Sequence, residues 1–370
     1  MRYLTAEYIF HPDTWLQQHV LEVNEEGTIL DLRPIVPGEQ AEDMGTYLVP
    51  GFVNAHCHLE LSYLEGKISR GTGMSNFAAS VIKSRGMYQE DLAQEAVEKA
   101  IKKAYESGVV AFGDIANGGL TAPAKKEWQD LISFHTYIEL LGLAREKANE
   151  IMENGLHLLE EFEYASLSLH APYSISPSLK QAVYQTKGPF SIHLLESKHE
   201  IELFQHGSGP MKEFYDRFGI PFSPFPFSNP LTYITEGLPT DTSVLWVHLL
   251  EASPSQLETL GQLGNSHFCL CPKSNVYIHE KGPDILQFLP YSDRICLGTD
   301  SLASNDSLSI WEEVLWIRQY FPSVDFHQLI RWASYQGAQA LGMDHLGSFQ
   351  AGTRPGILTI SGTTCQPING

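Results

Sequence analysis

Positive charge is scarce in this 370-residue chain: 24 lysines and arginines face 44 acids, for a formal net charge of −20 at pH 7. No basic run interrupts that imbalance, which argues against a nucleic-acid partner or an anionic membrane surface. No apolar stretch reaches the roughly 18 residues of a membrane-spanning helix, so no membrane span is expected. The opening residues, MRYLTAEYIFHPDTW, lack the charged head, apolar centre and small-residue cleavage site of a secretory leader. Cysteine is scarce too. Cys57, Cys269, Cys271, Cys296 and Cys365 form no paired framework, so a reduced, cytoplasmic setting is expected. Cys269-x-Cys271 reads as strand packing, because structural zinc needs two further ligands at suitable spacing. No G-x-G-x-x-G opens the first helical segment, which disfavours an open dinucleotide-binding sheet.

Apolar residues make up 43% of the chain and aromatics 11%, enough for a large core. The length suits a barrel of about 250 residues or more with a small accessory domain. The first fifty residues alternate apolar and polar positions around Gly27, Pro37 and Gly45, and GSFQAGTRPGILTISG near the other end does the same. Both ends are therefore expected to build one small β-sandwich domain, residues 1–49 plus 348–370, around a unit spanning 50–347.

That middle unit has another rhythm. YLVPGFVNAHCH, VVAFGDI, HTYIEL, ASLSLHAPYS, PFSIHLLES, SVLWVHLLE, HFCLCPKSN and RICLGTDS are short apolar runs. Several are separated by helical periodicity, as in PSQLETLGQLG and SIWEEVLWIRQYF, and one long helix is expected from Asn76 to Ser107. Near-continuous apolar strands alternating with helices indicate an α/β fold with a parallel sheet buried on both faces. Eight such units predict a (β/α)8 TIM-like barrel. GIPFSPFPFSNPLTYITEGLPT, residues 219–240, breaks the rhythm and reads equally as an active-site lid or as a loop packing its aromatics on the barrel.

Five of the eight strands end in residues able to bind a metal or move a proton: His56 and His58, His170, His193, His248 and Asp300. Barrel enzymes build their sites at the C-terminal strand ends. Residues i and i+2 of a strand share a face, so His56 and His58 can bind one divalent ion. An H-x-H alone also suits an ordinary solvent-facing strand, but joined by His193 and Asp300 it makes a three-imidazole, one-carboxylate set suited to zinc or ferrous iron. Glu196, three residues past His193, is placed to move protons, or to open a helix, where the dipole favours acids. His199 and Glu200 read as solvated. Glu60 reads either as part of the pocket entrance or as the start of a solvated loop.

PGFVNAHCHLE, HAPYSISP, IHLLES, VHLLE, CPKSN and LGTDSLASN, in that order, resemble the amidohydrolase superfamily. The branch is similar to the cytosine-deaminase and chlorohydrolase-like group, near the S-adenosylhomocysteine/methylthioadenosine and aminodeoxyfutalosine deaminases. The resemblance runs from about Leu48 to Gly356. It implies one divalent metal, with zinc the leading expectation and Fe2+ the alternative, held by His56, His58, His193 and Asp300. It also implies catalysis by Glu196, His248 and Asp300, and substrate contact from His170, Ser274, Asn275 and Ser301. The activity implied is hydrolytic deamination of an adenosine-type nucleoside such as aminodeoxyfutalosine, methylthioadenosine or S-adenosylhomocysteine. Guanine or cytosine deamination, cyclic-amide hydrolysis or chlorohydrolysis at the same site is the alternative, and a catalytically inactive binding protein is a third reading. Binuclear relatives carry a strand-four lysine where this chain has His170, so a single metal is expected. The H-x-E with P-C-x-x-C signature of the unrelated zinc deaminase fold is missing. The expected partner is a small-molecule substrate. Homodimers are common in such families, although no interface is legible here.

Overall fold

The structure, a computed structural model, describes residues 1–85 and 89–368. Its centre is two four-stranded parallel sheets. We label their strands β1 (Phe52–Cys57), β2 (Val109–Ala116), β3 (Ser133–Leu140), β4 (Ala165–Leu169), β5 (Phe190–Leu194), β6 (Ser243–His248), β7 (Asn265–Leu270) and β8 (Ile295–Leu297). One sheet runs β4-β3-β2-β1 and the other β5-β6-β7-β8. All eight expected runs are thus strands. Every residue of β1, β2 and β5 is buried, as expected of strands covered on both faces.

The edges of the two sheets meet through backbone hydrogen bonds. The amides of Thr299 and Asp300 donate to the carbonyl of His56 at 3.0 and 3.1 Å, and that of His193 donates to the carbonyl of His170 at 2.9 Å. The Ser168 hydroxyl adds a bond to the Ser191 carbonyl at 2.6 Å and accepts from the Ser191 amide at 2.8 Å. These bonds bring the ends of β8 and β1, and of β4 and β5, into register.

The turn leaving β1 is held from below. Asp114 of β2 is fully buried; its Oδ1 accepts from the Leu59 amide at 2.8 Å, and its Oδ2 lies 2.6 Å from the Lys125 ammonium. Gly113 must be glycine for a steric reason: a Cβ there would lie 2.2 Å from the Ala55 carbonyl oxygen.

The helix expected from Asn76 to Ser107 is two helices, Gly73–Arg85 and Glu90–Glu106. Gln89 has extended backbone (φ −94°, ψ 130°) and starts the second, a conformation that a continuous helix does not allow. Residues 86–88 lie outside the described residues. The second helix buries Ala93, Val97, Ala100, Ile101 and Ala104, an i, i+4, i+7, i+8, i+11 stripe facing the sheet. It stops at Gly108, whose φ of +96° suits glycine.

Strands from the two ends of the chain share a five-stranded sheet, in which Ile357–Ser361 pairs with Tyr47–Pro50. A second sheet contains Arg2–Thr5, His19–Val23, Ile29–Pro34 and Glu42–Asp43. Leu4, Ile9, Leu21, Ile29, Leu48, Phe349 and Ile357 form one apolar cluster across them. Within 219–240, Phe225 stacks on Phe204 with ring centroids 4.1 Å apart, and Phe222 and Tyr233 pack against Phe225. This segment is pinned by its aromatics to the helices beside it. Among the described residues, no helix is long and apolar enough to cross a membrane.

Candidate metal and proton-transfer site

The polar strand ends converge. His56 and His58 at the end of β1, His193 in β5 and His248 ending β6 have neighbouring ring centroids 4.8–5.9 Å apart. His58 Nε2 lies 3.3 Å from His193 Nε2 and 3.5 Å from Asp300 Oδ1. The His193 Nδ1–H donates to the His170 carbonyl at 3.1 Å, so its Nε2 presents a lone pair. His56 places Nδ1 3.4 Å from the Ser191 hydroxyl, and its Nε2 is buried without a hydrogen-bond partner. Burial lowers the pKa of all three imidazoles, and for His56 the charges of His193, His58 and His248 lower it further. Neutral rings with converging lone pairs are what a divalent cation requires.

One ligand atom from each of His56, His58 and His193 lies within 4.8 Å of the others. Bonds of about 2.0–2.1 Å to one tetrahedral ion put two imidazole nitrogens about 3.3 Å apart, which is the observed His58–His193 separation. The residues fit a metal. A second group satisfies the same distance criterion: Glu139, His170 and His193. Glu139 escaped the reading of the sequence, where it is a lone acid in HTYIEL. The signal that could have found it is an acid near the C-terminal end of the third apolar run, matching the polar ends of the other strands.

Asp300 is anchored through Oδ2, which accepts from the hydroxyls of Ser274 (2.6 Å) and Ser304 (2.7 Å). Burial would raise its pKa, but His58, His248 and these two hydroxyls hold it below the ordinary aspartate value. Asn275 Nδ2 donates to His248 Nδ1 at 3.2 Å, which leaves the ring proton on Nε2, 3.5 Å from Glu196 Oε1. Burial pushes His248 down to about 3. Glu196 is pushed well above the usual carboxylate range, first by burial and then by the charges of Asp300 and Glu200. Of the residues expected to touch substrate, Ser274 and Asn275 are fully buried and committed to Asp300 and His248. Ser301 is buried and shares its hydroxyl with Ser304 at 3.0 Å. His170 is half-buried at the edge of the cluster, its Nδ1 2.7 Å from the Ser174 hydroxyl.

The solvated reading of Glu200 is overturned: it is 0% exposed. Its Oε2 accepts from the Glu196 amide at 3.2 Å, and burial raises its pKa to about 8. The physical reason lies one residue earlier. Leu195 has left-handed backbone (φ +51°), which turns the following amides away from the sheet and toward the acid. His199 is half-buried. Glu60 is also buried; its two oxygens accept from the amides of Asn117 (3.1 Å) and Gly118 (2.8 Å). It fastens the turn after β1 to the turn after β2, so the solvated-loop reading fails here too. His248, Leu249 and Asp300 share the left-handed conformation of Leu195, with φ of +71°, +52° and +56°. For residues other than glycine this costs about 1–3 kcal/mol each and clusters at functional sites.

Residues 47–368 match the Amidohydrolase family. An adenosine deaminase of Helicobacter pylori is 29% identical over 322 residues, covering 83% of this chain and 77% of that protein. An aminodeoxyfutalosine deaminase of Deinococcus radiodurans is 27% identical, covering 84% of this chain and 77% of that protein. Among solved structures, the H. pylori aminofutalosine deaminase in complex with methylthio-coformycin superposes with a TM-score of 0.81 at 26% identity, covering 97% of this chain and 91% of that one.

Proposed function

The chain belongs to the amidohydrolase family, and from that premise we propose that it is a metal-dependent hydrolytic deaminase acting on an adenosine-type nucleoside. The observation that carries the proposal is the buried Glu196 beside His248, at the edge of three imidazoles and an anchored aspartate. Relatives named for deamination of adenosine and aminodeoxyfutalosine support the same reading.

His56, His58, His193 and Asp300 would hold one divalent ion, and zinc suits this nitrogen-rich set best. Such an ion supplies hydroxide near neutral pH by lowering the pKa of water. The chain's own groups do the rest. Asp300, ionised and fixed by Ser274 and Ser304, accepts a proton from the attacking water and orients it. His248, its tautomer fixed by Asn275, donates through Nε2 to the oxygen that develops charge. Glu196, carrying a proton because of its burial, gives it to the ring nitrogen next to the carbon under attack. It then takes up the proton that Asp300 removed from the water and passes it to the amino group, which departs as ammonia. It regains its own proton from the hydroxyl that becomes the carbonyl. His170, at the open edge, borders the base.

We take the two parallel sheets to be one closed (β/α)8 barrel, a reading supported by the backbone bonds at both seams. Residues 1–49 with 348–370 are read as a small β-sandwich domain, supported by their shared apolar cluster. Five free cysteines support a reducing compartment such as the cytoplasm.

The test is an ammonia-release screen of the purified protein across adenosine derivatives, guanine, cytosine and triazines, with metal content measured on the same sample. Release from adenosine-type nucleosides by a zinc-containing protein is expected. Release only from the other compounds, or from none, overturns the proposal.

A further inference from the structure

We propose that Glu139 reads the sugar of the substrate, its Oε1 accepting a hydrogen bond from a ribose hydroxyl. The inference rests on the nucleoside reading above. Glu139 lies next to the last residue of β3 and is 6% exposed. Its other oxygen, Oε2, accepts from Asn117 Nδ2 at 3.0 Å, and the same amide donates to the Glu139 carbonyl at 3.1 Å. Asn117 is itself braced. Its Oδ1 accepts from Arg85 at 2.8 Å, and its backbone amide is tied to Glu60. Glu139 therefore has one oxygen fully engaged and little freedom to turn.

Oε1 has no hydrogen-bond partner. The nearest ring nitrogen, His193 Nδ1 at 3.5 Å, already gives its proton to the His170 carbonyl. His170 in turn has Nδ1 engaged with Ser174. A buried carboxyl oxygen without a donor is costly, and a donor arriving with the ligand removes that cost. Position favours a sugar hydroxyl. Glu139 faces the Nδ1 side of His193, whereas the Nε2 side faces His58, so it lies across that ring from the reacting centre and beside the half-buried His170.

The experiment compares kcat/KM for an adenosine-type substrate with its 2′-deoxy and 3′-deoxy forms, on the wild-type holoenzyme and on Glu139→Gln, with metal content and thermal unfolding measured on both. A site built to bond a hydroxyl rejects the analogue lacking it, here by roughly ten- to a hundred-fold for a charged acceptor. We expect the wild type to prefer the ribonucleoside over at least one deoxy form by that factor. Glu139→Gln should lose most of the preference, mainly through KM, at unchanged metal content. Glu139→Asp, which keeps the charge but withdraws it by one methylene, should lose it as well. A variant that keeps the preference overturns the proposal, and so does loss of metal from Glu139→Gln, which would make Glu139 a ligand or a support of His193. The wild-type arm can overturn the proposal even if both variants misfold: deamination without preference for either hydroxyl overturns only the role of Glu139. Absence of ammonia from every adenosine derivative overturns the nucleoside reading itself.

Discussion

Glu196 is the residue on which the chemistry turns. Glu196→Gln keeps the size of the side chain and removes its acid. Turnover is expected to fall roughly 10²–10⁴-fold, the usual worth of a positioned acid–base group, with metal content retained because the ligand set is untouched. Near-normal turnover with full metal would rule out the proton transfer assigned to it. The residues of this site were unequally legible. His56, His58, His193, His248 and Asp300 stand out because each is polar at the end of an apolar run, and the topology brings those ends together. Glu139 did not stand out, because one acid within HTYIEL carries no spacing signal, and its meaning comes from Asn117 and His170, just past the ends of β2 and β4. Glu200 was misread for a related reason. Acids in the first turn of a helix usually face water, and only the backbone of Leu195 turns this one inward.

At the scale of elements, strand identity was legible because burial on both faces leaves continuous apolar runs. The break between the helices at 73–85 and 90–106 was not, since the stretch has no proline, and its one interior glycine, Gly86, is tolerated within a helical pattern. Register is a further property that composition hides. β1 and β2 approach closely at Gly113, and the pairing shifts between Asn54 and Cys57. Gly113→Ala would drive a methyl group into the Ala55 carbonyl, one residue before His56. The expected cost is about 1–3 kcal/mol or somewhat more, seen as a lower thermal midpoint. Weaker metal retention should accompany it, since β1 must shift to make room. An unchanged midpoint and unchanged metal content would show that the strand pair is looser than it looks.

For the molecule as a whole, charge and buried acids act in the same direction. Glu313 is buried between the Lys273 amide and Asn305 Nδ2, and burial raises it from 4.5 to about 7. Glu200 is raised from 4.5 to about 8. An acid raised on folding binds its proton more tightly in the native state. Its contribution is therefore complete below about pH 4.5 and is lost as pH rises through 7 to 8. A net charge of −20 adds self-repulsion over the same interval. Urea unfolding should give a smaller free energy at pH 8.5 than at pH 6. Glu313→Gln should narrow that gap by about 1.4 kcal/mol, because only about one pH unit of its loss, from 6 to 7, falls between the two conditions. A gap of the same width in the variant would place the pH dependence elsewhere.

The left-handed backbone at positions 195, 248, 249 and 300 bears on anyone who would engineer this scaffold for heat tolerance. Glycine relaxes such a backbone, so a search guided by stability alone is drawn to these positions. At 248 and 300 that relief would erase a histidine and an aspartate of the site. At 195 and 249 it would instead empty a packed leucine position, since both side chains are fully buried. Improvement has to come from elsewhere in the molecule, and the tension at the strand ends is best treated as a fixed boundary condition of any redesign.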